Sequence, residues 1–273
     1  MNTLQELQEW LSTSVLSRIS KEIMRVALPS IRLLSRPVGE TQIRLGHTRL
    51  GGVPDLPQGI RWPEYDGVPL PFIAQINLSE VASYDTQHRL PSTGMLYFFF
   101  DLDAYFERGR VHQARIWRVL YIPVPFSDLH RLAIPEGMPK RYTYRLNEVI
   151  CRAEITLPGY SVYEATSLER LGISEFLTQE EEQAYYQLQE QLAGTGGSNH
   201  SAIHRLLGHP DELQADMHEE LGGRPDDWQL LFQVDSDGAL GTEWGDTGRI
   251  YYWIQTHALA ERNFNQVQVI LQC

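Results

Sequence analysis

The chain is poor in cysteine, with only Cys151 and Cys273 among 273 residues. Two thiols so far apart make no disulfide framework, and such sparing use fits a reducing cytoplasm. Long apolar runs are also lacking. No window approaches the roughly 18 apolar residues that a membrane-spanning helix needs. The start shows no secretory pattern, because Leu4, Leu7, Leu11 and Val15 are interrupted by Gln, Glu and Ser. Positive charge is scarce. There are 23 Lys and Arg against 35 Asp and Glu, a net charge of −12. A chain of that sign repels phosphate backbones, so nucleic-acid binding is disfavoured and a basic protein partner fits better. A membrane-surface role for the N-terminal helix is disfavoured because its polar face carries both signs of charge. The basic stretch Arg108, Arg110, Arg115 and Arg118 is interleaved with Val111, Ile116 and Val119, as the solvent face of strands would be. Catalytic signatures are missing too. There is no G-x-S-x-G, and Gly194 to Gly197 lacks the Lys and the preceding strand of a phosphate cradle.

What is present can form a sizeable core, since 42% of residues are hydrophobic. Leu4, Leu7, Leu11, Val15, Ile19, Ile23 and Val26 recur at steps of three or four. That spacing predicts one amphipathic helix within residues 1–29, ended by Pro29. Short strands are expected at Ile31–Leu34, Gln42–Leu45, Phe72–Leu78, Met95–Leu102, Arg118–Val124 and Val149–Leu157. Helical spacing returns over Ser174–Leu192, and the Gly-rich 194–199 reads as a flexible connection. Strands are expected again at Trp228–Asp235, Arg249–Ile254 and Val267–Leu271, with Asp237-Gly238 as a turn.

The segments echo one another. Gly52-Val53-Pro54-Asp55 precedes Phe72-Ile73-Ala74-Gln75-Ile76-Asn77 and then Gly94-Met95-Leu96-Tyr97-Phe98-Phe99. Gly208-His209-Pro210-Asp211 precedes Leu230-Leu231-Phe232-Gln233-Val234-Asp235 and then Gly248 to Ile254. The expectation is an α+β fold, mainly antiparallel, in two related β-rich repeats with an N-terminal helix and a central helical insertion. The divisions are 30–170 for the first repeat, 171–199 for the helix and linker, and 200–273 for the second, all within one unit spanning 1–273.

These segments resemble the YwqG-like family, bacterial domains of uncharacterised function. The residues that carry the likeness are Leu50 to Pro57, Trp62-Pro63, Phe72 to Leu78, Leu90-Pro91 and Gly94 to Phe98. In the second half they are Leu231 to Asp237, Trp244-Gly245-Asp246, Gly248 and Phe264. Gly208-His209-Pro210 departs from the family's usual Gly-Gly-Tyr. The resemblance implies a mixed α+β protein with mainly antiparallel sheet and brings no established catalytic residues. Members often lie near toxin and immunity genes, which implies an interaction role.

Candidate sites follow from residue type. Gln75 and Gln233 sit inside apolar runs, where a buried amide must be hydrogen-bonded. Each either bonds backbone in its sheet or faces a shared ligand cleft. Asp235, Asp237, Glu243 and Asp246 could converge to hold Ca²⁺ or Mg²⁺, or could belong to a hairpin in which Asp237-Gly238 makes the turn and Asp235 and Asp246 bond local amides. Trp244 stands beside them, within an aromatic set that includes Trp62, Trp228, Tyr251, Tyr252 and Trp253. His200 and His204 stand four apart, near His209 and His218, as surface or cap residues or as two metal ligands on one helix face. Cys151 in an alternating strand reads as a small hydrophobe, and Ser236 is flanked by two carboxylates. The function expected is a non-enzymatic cytoplasmic binding protein, immunity-type or regulatory. The alternative is a metal-assisted hydrolase or ligand-binding enzyme using Asp235, Asp237 and Asp246, with both glutamines orienting substrate.

Overall fold

A computed structural model describes residues 2–108, 116–123, 128–159, 171–173, 176–194, 202–214 and 217–273. The fourteen strands among these are β1 Leu28–Pro37, β2 Arg49–Leu50, β3 Asp55–Pro57, β4 Glu64–Tyr65, β5 Val68–Pro69, β6 Phe72–Asn77, β7 Met95–Phe100, β8 Trp117–Ile122, β9 Leu129–Arg131, β10 Asn147–Thr156, β11 His204–Leu206, β12 Trp228–Asp235, β13 Arg249–Gln255 and β14 Gln268–Gln272. The α-helices are α1 Leu4–Thr13, α2 Ser20–Val26, α3 Leu78–Val81, α4 Leu102–Arg108, α5 Gln179–Ala193, α6 His218–Leu221 and α7 Thr256–Ala260.

Ten strands form one antiparallel sheet, in the order β14-β13-β12-β11-β1-β10-β2-β6-β7-β8. Its spine is the β1–β10 pair, in register from Leu28↔Thr156 to Pro37↔Asn147. The sheet curls into a near-barrel. At the closing seam Trp117 donates its indole N–H to Val267 O at 2.8 Å, Leu271 N donates to the Tyr105 hydroxyl, and Tyr121 packs on Phe264. Those bonds occupy edge groups that would otherwise invite another chain.

Register is the same on the two sides of the spine. Arg49 lies opposite Gln75, and Gln75 opposite Tyr97. Arg205 lies opposite Gln233, and Gln233 opposite Tyr251. Register shifts fall between Phe72 and Ala74 and between Leu230 and Phe232. After β2 and β11 the chain turns through left-handed backbone, at Gly51 and Gly52 (φ 65° and 68°) and at Leu207 and Gly208 (φ 62° and 76°). Side-chain room is absent as well, because a Cβ on Gly51 would lie 2.2 Å from Arg145 O.

The inward face of the sheet forms the main core. Phe98 meets Phe232 at 4.6 Å and Tyr252 at 5.0 Å between ring centroids, so aromatic strands from both sides share it. Outward faces are covered separately. Phe72, Tyr97 and Phe99 lie under the segment with Leu56, Leu70 and Leu129, while Leu230, Tyr251 and Trp253 lie under Met217 and Leu221. A fourth cluster joins α1, α2 and α5 to Ile155 and Leu157.

Three expectations are corrected. The single N-terminal helix is two helices joined by a 3-10 turn at Val15–Ile19, and Pro29 lies inside β1. Ser12, Thr13 and Ser14 turn their hydroxyls onto the carbonyls of Glu9, Trp10 and Leu11, which competes with helical continuation. In place of Val15, Leu16 is buried. Gln42–Leu45 is not a strand; a 3-10 turn covers Glu40–Gln42 and pairing begins only at Arg49. Asp237-Gly238 is not a tight turn joining β12 to β13. Asp237 bridges Thr242 within the longer connection 236–248. Of the other expected elements, Trp228–Asp235 matches β12 end to end, and the helix over Ser174–Leu192 is α5 at Gln179–Ala193.

Candidate functional site

Gln75 is fully buried on the outward face of β6, and all its hydrogen-bonding positions are engaged. Its Oε1 accepts from Asp55 N at 2.8 Å and from Arg49 at 3.2 Å. Its Nε2 donates to His47 O at 2.8 Å and to Asp55 Oδ2 at 3.2 Å. Gln233 does the same with main chain: Oε1 accepts from Asp211 N and Nε2 donates to Ile203 O, both at 2.9 Å. Tyr97 and Tyr251 then donate their hydroxyls to the carbonyls of Asp55 and Asp211, at 2.5 and 2.8 Å. Loop, Gln strand and aromatic strand are thus tied together.

Charge reinforces each tie. Asp55 is fully buried, 2.6 Å from the equally buried Arg49 and 3.0 Å from Arg131. Its carboxyl is held below the ordinary range: burial alone would raise it, but the Arg131 hydrogen bond, the Arg49 charge and the Gly46 amide outweigh burial. In the other half Arg249 pairs with Asp211 at 2.8 Å and with Asp235 at 3.0 Å. Glu154 is gripped by Arg32 and Arg205, at 2.8 and 3.0 Å, beneath the end of α5.

The acidic group near Trp244 does not gather on one point. Asp235 Oδ1 faces Arg249 and Oδ2 accepts from Ile203 N at 2.9 Å. Asp237 Oδ1 accepts from Ala239 N, and Oδ2 takes the Ser35 hydroxyl at 2.9 Å and His204 Nε2 at 3.2 Å. Burial would raise the Asp237 carboxyl, yet the His204, Ala239 and Ser35 bonds hold it down at about 2. Glu243 accepts from Thr247 N, and Asp246 is exposed. Trp244 is fully buried against Tyr144. Among the described residues no three His, Cys, Asp or Glu side chains are grouped as a metal ion would require.

Ser35, His204 and Asp237 touch without forming a nucleophilic relay. His204 Nδ1 accepts from Asp235 N at 3.1 Å, so Nε2 carries the proton that Asp237 receives. Neither nitrogen is left to deprotonate Ser35. His209 Nε2 is spent on Val26 O at 2.6 Å. His200 and most of the 194–199 connection lie outside the described residues, as do Arg110, Val111 and Arg115. Ser236 accepts from Trp244 N and donates to Gly248 O. Trp228, Tyr251, Tyr252 and Trp253 are buried, and Trp62 edges onto Phe72 and Phe99.

The open feature lies elsewhere. A cleft of about 310 Å³ runs along the inward side of β10, between the 42–48 segment and the α3 region. Ile43, Val149, Cys151 and Tyr84 give it an apolar floor; Arg44, Glu80 and Glu148 supply charge, and His47 an imidazole. His47 Nδ1 is 2.8 Å from Glu80 Oε1, and Glu80 Oε2 accepts from Thr48 N at 2.9 Å. Burial, with Glu80 nearby, pushes the Cys151 thiol up to about 12, so it is no thiolate nucleophile at neutral pH. None of Gln75, Gln233, Asp235, Asp237, Trp244 or Asp246 lines this cleft.

The model of a domain family of unknown function, DUF1963, matches residues 48–273. The chain belongs to the DUF1963 family. Comparison with curated proteins finds no match. The DUF1963 match takes in every segment quoted above for the YwqG-like resemblance, together with β2 and all later strands. It begins one residue before Arg49, so β1, α1 and α2 lie outside the matched range. No helix among the described residues of this DUF1963 chain is long and apolar enough to cross a membrane. Sequence reasoning missed Arg49, Arg205 and Arg249, the ion partners inside the sheet. It also missed Arg44, His47, Glu80 and Tyr84. The signal for the first group was an Arg in an apolar strand, which needs a buried acid; the second group carries no local signal.

Proposed function

We propose that this chain is a non-catalytic binding module made of two related halves, with its ligand site in the cleft beside β10. The observation that carries the reading is a contrast. The amides and acids of the sheet, Gln75, Gln233, Asp55, Asp235 and Asp237, are saturated by protein partners. Saturated groups hold a fold and have little left for a ligand. The cleft has open volume, and polar groups there stand beside an apolar strip of Ile43, Tyr84, Val149 and Cys151. The duplicate reading is supported by matched registers, matched bulges and matched left-handed turns on either side of the spine. The metal-assisted hydrolase has less support, because Asp235 and Asp237 are turned to Arg249 and His204. A basic protein partner is the second reading, favoured by the net charge of −12.

The test fills the cleft. Small molecules released from purified wild-type protein are compared, by mass spectrometry, with those from a Val149→Trp variant of unchanged melting temperature. A compound carried by wild type and lost from the variant supports the reading. Identical sets from both, or none from either, reject it.

A further inference from the structure

The polar groups around the cleft are not equally satisfied, and the exception points to a ligand class. Glu80 is spent on both oxygens, by His47 and by Thr48 N. Glu148 is paired with Arg36. Asp85, behind Tyr84, turns its carboxylate onto Leu90 N at 2.7 Å. Arg44 is the exception. It lines the cleft, is solvent-exposed, and has no acidic or carbonyl partner among the described residues. Each carboxylate bordering the cleft therefore has a hydrogen-bond donor of the chain, and the Arg44 guanidinium has no acceptor among the described residues.

We infer that the cleft takes a small monocarboxylate with a short apolar body, its acid on Arg44 and its body over Ile43, Tyr84, Val149 and Cys151. This rests on the cleft being the ligand site. A planar guanidinium accepts a carboxylate through two parallel N–H···O bonds, which fixes orientation as well as charge. A volume of about 310 Å³ limits the guest. Taking a water's share of liquid volume as ~30 Å³, the recess itself holds about ten non-hydrogen atoms, enough for a carboxylate with a short apolar body. The apolar floor disfavours inorganic phosphate, which would leave Ile43, Tyr84 and Val149 facing water.

The register of the sheet shows how the matching position on the other side of the spine is occupied. The residue in the position of Cys151 on the other side of the spine is Ser35, following the pairing of β1 with β10 and β11 against that of β10 with β1 and β2. Ser35 is covered by Asp237, which also binds His204. There a carboxylate of the chain itself fills the space. At Cys151 the space stays open, with Arg44 at its rim.

Phenylacetate and phenethylamine form a matched pair of probes, alike in body and opposite in charge. Each is titrated into isotope-labelled full-length protein while backbone amide shifts are followed, with Arg44→Ala, Arg44→Lys and the distant exposed Arg61→Ala in parallel. Phenylacetate is expected to move resonances of residues 43–48, 84 and 149–151. Its affinity should fall at least tenfold in Arg44→Ala, partly recover in Arg44→Lys, and hold within twofold in Arg61→Ala. Equal phenylacetate affinity in wild type and Arg44→Ala overturns the assignment. Phenethylamine binding more tightly at the same resonances overturns the acid class but leaves the cleft as the site. If neither probe moves those resonances, both the ligand class and the site are refuted.

Discussion

Replacing Asp55 with Asn removes one negative charge and keeps almost every atom in place. The carboxylate now accepts from Gly46 N at 2.8 Å and from Gln75 Nε2 at 3.2 Å, beside Arg131 at 3.0 Å and Arg49 at 2.6 Å. Asn keeps one acceptor and adds an NH₂ that faces donors. Arg131 reaches solvent and Glu40, so it tolerates the change. Arg49 does not. Its side chain is fully buried, and its Nε and Nη1 already have no acceptor among the described residues. Removing one member of a buried ion pair leaves the other uncompensated, at a cost of about 3–5 kcal/mol. That is a large share of a domain stability of roughly 5–15 kcal/mol. Urea unfolding followed by tryptophan fluorescence measures the loss, and Arg49→Met with the double variant closes a cycle. The double variant should lose less than the sum of the singles, because the stranded charge goes with its partner. A loss below about 1 kcal/mol in Asp55→Asn, or strict additivity in the cycle, refutes the reasoning.

Two further outcomes follow from named groups. Asp237 is held at about 2, below its ordinary value of 3.8, so its contribution is present above that ordinary value and lost as pH falls toward 2. The shift corresponds to about 2 kcal/mol; urea midpoints of wild type and Asp237→Asn should therefore converge between pH 5 and pH 2, and a constant gap contradicts the assignment. The Tyr252 hydroxyl is fully buried without a partner among the described residues, so Tyr252→Phe should change stability by no more than about 1 kcal/mol, whereas a large loss in thermal unfolding would reveal a partner.

How much could be read beforehand depended on whether the signal was local. β12 was legible in full, because Trp228–Asp235 is an apolar run bounded by turn residues. The spine strands were legible in part, as Ile31–Leu34 inside β1 and Val149–Leu157 over most of β10, but not the length of β1 or its partners. β1 alternates Ser30, Arg32 and Arg36 with apolar residues and begins and ends around Pro29 and Pro37. Arg32 can be buried there only because Glu154 arrives from a strand more than a hundred residues later. The same holds for His204 and Asp237, which sequence reasoning placed in separate clusters and the sheet places 3.2 Å apart. The two glutamines were legible as buried amides, and their partners became visible only with the G-x-P-D loops folded over them. The cleft was illegible because Arg44, Tyr84 and Cys151 come from three segments, none with a motif of its own.

Gln75 and Gln233 each tie a loop to the sheet, and the unfolding free energies of Gln75→Leu and Gln233→Leu measure those ties. Leu strands a buried amide N–H and a carbonyl in each half, at about 1–3 kcal/mol per group. Both variants should therefore lose at least about 2 kcal/mol, with Gln75→Leu the worse because it also exposes Asp55 and Arg49 to unpaired contacts. If either variant unfolds at the wild-type urea concentration, that glutamine does not tie loop to sheet, and the contrast between a saturated sheet and an open cleft fails with it.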